Sequence, residues 1–331
     1  MNNLKKIGLS ALAGSLVAFS ANAVELTVSG TAEVTYSTIT STGTAQVNSG
    51  NPMGSNTSLK FNGSGDVGFG TATIRRTIND GMSAYLSAWQ TLDMGSLGTV
   101  SFDAIGGELA GLTPNDDLLP TAYEEIWNGV SSSGVSGASS NDTLGYANSY
   151  GPVSFSVAHT RGGTAGSGDG NVAAETGNSI TDMAVSIDGS MLLDGLTIAA
   201  ATSTEDGLNN ATDTTNNVGH VLYSTGPVSV GYRLAESQPG SGKTVQTGKN
   251  IEAYSIAFAV NDNLSLSFGE QETEYDVASS ASNVTEEVTA LNASYTIGAA
   301  SIRTTLSESA NDAGVLANDV EMMEVSLVLA F

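Results

Sequence analysis

The sequence has no cysteine. That excludes disulfide staples, thiolate metal sites, thiol nucleophiles and a lipidated amino-terminal cysteine. Proline is scarce, at 6 residues, which excludes proline-rich linkers, whereas 39 glycines point to frequent turns. Charged residues make up 13% of the chain, against roughly a quarter in ordinary soluble proteins. The charge that is present leans one way, with 34 acidic residues against 10 basic ones and a pI near 4.1. A chain so short of bases cannot build the positive face that nucleic acid requires. Aromatics are only 6%. No run of about 18 apolar residues occurs, so no transmembrane helix is expected.

The chain does carry a leader. MNNLKKIGLSALAGSLVAFSANA has Lys5 and Lys6, an apolar stretch from Ile7 to Phe19, and then Ala21-Asn22-Ala23. This is the three-part plan of a secretory signal peptide, with small residues at the cleavage site. Cleavage is expected after Ala23, which separates residues 1–23 from a single folded unit over 24–331. Losing the two lysines lowers the formal net charge from −24 to −26. An exported chain without a spanning helix is either soluble or a membrane β-barrel, the other structure that satisfies every backbone group in lipid.

Helical periodicity is nearly absent, and short runs of period two recur instead. PVSFSVAH sets Val153, Phe155 and Val157 against Ser154, Ser156 and Ala158, and NLSLSFGE sets Leu264, Leu266 and Phe268 against Ser265, Ser267 and Gly269. Sixteen strands are read, over 24–38, 55–65, 67–78, 81–91, 97–103, 141–150, 152–161, 178–189, 194–203, 216–225, 227–236, 248–261, 263–273, 284–297, 299–308 and 319–331. Tight turns such as SYGPV, STGPV, VNDNL and TIGAA alternate with long polar loops, the layout of an outer-membrane barrel. A soluble sheet relies on charged solvent faces and edges; here the polar face is mostly Ser, Thr, Asn and Gly. The fold class expected is all-β, a transmembrane antiparallel β-barrel of about 16 strands. A surface adhesin or other structural β protein is the competing reading.

The last strand, VEMMEVSLVLAF, places Met323, Val325, Leu327, Leu329 and Phe331 toward lipid, with Glu324 and Ser326 toward water. It is expected to pair with the first strand near VELTVSG. With the signal peptide and the sixteen-strand layout, this ending resembles the general Gram-negative porins, trimeric barrels that pass small hydrophilic solutes. The resemblance implies an outer-membrane location, a homotrimer, contact with outer-membrane lipids and lipopolysaccharide, and Phe331 as a signal to the barrel assembly machinery. It also implies that the loop after the fifth strand folds inward and narrows the channel. Here that loop is the longest, AIGGELAGLTPNDDLLPTAYEEIWNGVSSSGVSGASS. It carries Glu108, Asp116, Asp117, Glu124 and Glu125, together with Leu109, Leu112, Leu118, Leu119, Ile126 and Trp127, apolar residues that would dock it to a wall. The acidic-and-Gly tip of enterobacterial porins is missing, and the link INDG is short where many porins have a longer second loop.

Alternation places Lys60, Arg75, Arg233 and Arg303 inward and Arg76 at the rim, because a lipid-facing base costs roughly 2–4 kcal/mol at mid-membrane. Acidic rings favour cations. Acids of the inward loop facing Lys60 and Arg75 would make a transverse field; the plainer alternative is that each base pairs with a neighbouring carboxylate. A substrate-selective channel is the alternative function. His159 and His220 lie in different strands, and no nucleophile elbow, phosphate loop or paired zinc motif is present, so neither enzyme nor cofactor is expected. GSGDG (166–170) and NDD (115–117) lack the spacing of a known calcium loop, so no metal site is expected. Tyr36, Trp89, Tyr146, Tyr150, Tyr223, Tyr254, Tyr295 and Phe331 are the candidate interfacial aromatics.

Overall fold

The computed structural model describes residues 25–42, 52–79, 85–105, 109–135, 137, 142–161, 178–207, 212–240, 248–276 and 283–331. Residues 1–23, the expected signal peptide, and GSGDG (166–170) lie outside them. The strands are β1 (Glu25–Ser41), β2 (Met53–Asp66), β3 (Thr71–Asn79), β4 (Tyr85–Asp93), β5 (Thr99–Ile105), β6 (Thr143–Tyr150), β7 (Val153–Thr160) and β8 (Ile180–Asp188). They continue with β9 (Leu196–Glu205), β10 (Thr214–Thr225), β11 (Val228–Gln238), β12 (Gly248–Ala259), β13 (Leu264–Asp276), β14 (Val284–Ile297), β15 (Ala300–Ala310) and β16 (Val320–Ala330). Each pairs antiparallel with its sequence neighbours, and β16 pairs with β1, closing a sixteen-stranded barrel.

The period-two pattern decides which side chains face out. On β13, Leu266 and Phe268 are 39% and 40% exposed, whereas Ser267, Gln271 and Thr273 are buried on the other face. The inner wall is knit by hydroxyls rather than charges. Thr31–Ser58, Ser87–Thr77, Thr143–Thr160, Ser149–Ser154, Ser224–Ser229 and Thr296–Ser301 are all cross-strand hydroxyl pairs, 2.6–2.9 Å apart. Such pairs contribute roughly 0.2–1 kcal/mol each relative to Ala–Ala.

Connections alternate as the sequence indicates. Two-residue turns join β6 to β7 and β10 to β11 through Gly151 and Gly226, whose φ values of 58° and 53° suit hairpin turns. Closure differs in register from the sequence expectation. β16 pairs with Thr31–Ser41, not with VELTVSG. Only Phe331 reaches that stretch, exchanging two backbone hydrogen bonds with Gly30 (2.8 and 3.0 Å). Glu25–Ser29 pairs with β2 alone.

The apolar core lies between the segment after β5 and the inward faces of β8 to β14. Leu112 and Val135 pack with Ala184, Ala201, Val218, Ala235 and Ile251. Leu119 and Ile126 pack with Ala253, Val288 and Ala290, and Trp127 and Val130 border them.

Candidate functional site

The 109–135 segment is tied strand by strand to inward-facing side chains. Gly111 N–H donates to Ser156 Oγ on β7 (3.0 Å), and Leu112 N–H donates to Asp182 Oδ2 on β8 (3.1 Å). Gly111 has φ +84°, and a Cβ there would lie 2.4 Å from the Asp182 side chain, so this entry point requires glycine. Leu118 N–H donates to His220 Nε2 on β10 (3.4 Å). Ser255 Oγ on β12 donates to Pro120 O (2.9 Å), and Ala122 N–H donates to Ser267 Oγ on β13 (2.8 Å). Asn292 on β14 then brackets Glu124, accepting from its N–H (3.3 Å) and donating to its carbonyl (3.2 Å). On the return, Ser131 N–H donates to Asp312 Oδ1 (2.7 Å), Gln271 Nε2 to Ser132 Oγ (2.8 Å) and Lys249 Nζ to Gly134 O (2.6 Å).

The sequence-predicted acids divide into two groups. Glu108 lies outside the described residues. Asp116 forms an ion pair with Arg233 (Nη2 to Oδ1, 2.6 Å) and also accepts from Val135 N–H (2.9 Å). Asp117 accepts from Leu119 N–H (3.0 Å). Glu124 is half-buried and Glu125 exposed. Burial pushes the Asp116 carboxyl upward and outweighs Arg233. Burial likewise pushes Asp117 up to about 6, against the pull of the Leu119 N–H and Arg233. It carries Glu124 to about 7, opposed by a hydrogen bond to Tyr123 and helped by Glu125 and Glu324.

The bases divide in the same way. Arg233 points inward but is not open to a channel. The loop covers it completely, Trp127 stacks 5.0 Å from its guanidinium carbon, and Gln271 Oε1 accepts at 3.3 Å. Arg233 and Asp116 are therefore a buried clamp between loop and wall, not opposing members of an open field. Lys60 and Arg75 are half-buried on the inward faces of β2 and β3. Arg75 donates to Asn62 Oδ1 (2.8 Å) and lies over the Trp89 ring at 4.6 Å. Trp89 is therefore buried beside Arg75, not an interfacial aromatic. Arg303 lies 5.5 Å from the Tyr123 ring. Arg76 is not at a rim. It sits mid-strand beside the pairing irregularity at Ala88/Trp89, where Nη1 donates to the carbonyls of Arg75 (2.7 Å) and Trp89 (3.2 Å).

Sequence reasoning missed the group at the far reach of the loop. The Tyr123 hydroxyl lies 2.8 Å from Glu324 on β16 and 3.2 Å from Glu33 on β1. Ser37 donates to Glu324 (3.0 Å) and Ser326 donates to Glu33. Glu33 was legible in principle, since it lies between the outward-facing Ala32 and Val34. Three carboxylates, Glu33, Glu124 and Glu324, thus gather around Tyr123, with Glu125 beside Glu124 and Arg303 beside the ring.

A closed sixteen-stranded antiparallel barrel, with short turns at one end and long connections at the other, defines a porin-type barrel. No family model matches the chain, and no curated protein matches it in sequence. Its structure is similar to a porin refined at 1.8 Å (TM-score 0.67, 13% identity, covering 93% of this chain and 100% of that one). It is also similar to the trimer form of OmpT, an outer membrane protein of Vibrio cholerae (TM-score 0.67, 10% identity, 94% and 100%). Salmonella typhi OmpF in complex with daunomycin gives a TM-score of 0.66 at 12% identity, covering 93% and 98%. The fold is that of the porins.

Proposed function

We propose that this protein is a passive diffusion channel of the outer membrane that admits small hydrophilic solutes and ions and favours cations. The observation that carries this reading is the seating of 109–135 against the inward faces of β7 to β16, with Glu124 and Glu125 near its far reach. A segment held there narrows the lumen beside β1 to β3, whose inward faces carry Lys60 and Arg75. The cluster around Tyr123 strengthens the negative side, because Glu33 and Glu324 add two wall carboxylates to those of the loop. Acidic rings at a constriction favour cations, and the formal net charge of −26 left once Lys5 and Lys6 go with the leader (−24 for the full chain, less two lysines) adds a negative approach field.

The remaining elements follow from the same reading. The leader is removed after Ala23, Phe331 presents the chain to the assembly machinery, and three copies associate among outer-membrane lipids and lipopolysaccharide. The channel performs no catalysis and needs no cofactor. Conductance in a planar bilayer under a salt gradient tests the reading. Discrete channels with cation-selective zero-current potentials are expected; anion preference would remove the selectivity claim, and a lack of channels would remove the channel claim.

A further inference from the structure

On β8 and β9 the outward apolar row is confined to the short-turn end. Met183, Val185 and Ile187 face out from β8, and Leu196, Ile198 and Ala200 from β9. Beyond them the outward face becomes polar. His159 Nδ1 and Thr181 Oγ1 are 2.9 Å apart, and Thr202 Oγ1 donates to Asn217 Oδ1 (2.8 Å). At about 3.3 Å per residue and a tilt of about 40°, these rows cover roughly 10 Å of membrane height, well short of the usual belt of about 25 Å.

The apolar surface does not stop where the strands end. The connection Gly189–Gly195, the longest on its side of the barrel, presents Met191 at 89%, Leu192 at 85% and Leu193 at 49% exposure. The turn is well built. Asp188 Oδ1 accepts from Ser190 N–H (3.0 Å), and Gly189 O accepts from Leu192 N–H (2.8 Å) and Leu193 N–H (3.0 Å). Gly195 O accepts from Ser224 N–H on β10 (3.0 Å), anchoring the far end. Gly189 also leaves room for Leu196, whose side chain would lie 2.7 Å from an added Cβ. Three large apolar side chains are therefore held exposed, next in the chain to the outward rows of the two strands they join.

We propose that the 189–195 turn is immersed in the phospholipid of the inner leaflet and completes the lipid-facing belt below β8 and β9. This rests on the membrane-spanning reading above. Met191, Leu192 and Leu193 supply the apolar height that the strands lack.

A chain without cysteine permits a direct test. Single cysteines at Leu192→Cys, Val185→Cys and Leu316→Cys, each carrying a nitroxide, are compared in phosphatidylcholine proteoliposomes by accessibility to oxygen and to a water-soluble nickel chelate. All three positions are exposed, so the barrel should still form, which heat-modifiable migration verifies. The label at 192 is expected to match the belt position 185, with an oxygen-to-nickel ratio several-fold above that at the loop position 316. A 192 label that behaves like 316 while 185 remains lipid-exposed overturns this inference alone. Labels at 185 and 192 that are both open to nickel overturn the membrane-spanning reading and this inference with it.

Discussion

The ring of Phe331 lies directly over Gly30. A Cβ on Gly30 would fall 2.6 Å from Phe331 Cζ and 2.7 Å from the Ser58 carbonyl. The two residues also exchange backbone hydrogen bonds, so Phe331 extends the seam at which β16 meets β1. Gly30→Val is expected to lower the yield of heat-modifiable barrel severalfold, as deletion of Phe331 should. Unit conductance of the barrels that do form should be unchanged. Wild-type assembly in both variants would show that the contact is incidental.

The clamp between loop and wall is a second target. Arg233 is fully buried against Asp116. Removing one member of a buried pair typically costs about 3–5 kcal/mol, because the other charge is left uncompensated. Arg233→Ala should release the 109–135 segment, giving larger and noisier single-channel currents. Arg233→Gln with Asp116→Asn should recover most of the wild-type trace. Equal noise in the single and double variants would assign the loop's hold to its apolar contacts instead.

On the proposed reading, selectivity should move in opposite directions at the loop and at the wall facing it. A charge passed at roughly 4–8 Å in water shifts an ion's energy by about 0.5–1 kcal/mol, or about two- to fivefold in permeability. Glu124→Gln and Glu125→Gln should lower the cation-to-anion ratio by that order, and Lys60→Ala and Arg75→Ala should raise it. Zero-current potentials in a potassium chloride gradient read both.

The same potentials should depend on pH. With Glu124 near 7 and Asp117 near 6, both raised by burial, the loop gains negative charge between pH 5 and pH 8. Cation preference should rise over that interval, and Glu124→Gln should flatten its upper part. The sign for docking is the reverse. A carboxyl raised in the folded state stabilises the docked loop fully below its ordinary pKa, and loses that contribution as pH rises through 6 to 7. Protease access to the loop should therefore increase with pH.

Much of this architecture was legible because alternation is a local signal. Leu266 against Ser267, or Val325 against Ser326, declares its face without help from distant parts of the chain. The register at closure was not legible, since only the three-dimensional seam shows that β16 meets Thr31–Ser41 and leaves Glu25–Ser29 beyond it. The clamp was hidden for a related reason. Arg233 and Asp116 are far apart in sequence, and the lumen position of an arginine says nothing about what will cover it. The inward Ile251, Val288 and Ala290 were the available hint, being apolar residues on a face otherwise made of hydroxyls and amides. They mark where the loop lands.

The hydroxyl-paired inner wall has one more consequence. Added salt screens the carboxylates of the loop and its approaches but leaves neutral cross-strand pairs such as Thr143–Thr160 and Ser224–Ser229 almost untouched. What the proposed channel prefers and how firmly its wall holds together thus answer to different solution variables. Added salt weakens the first while leaving the neutral part of the second nearly unchanged.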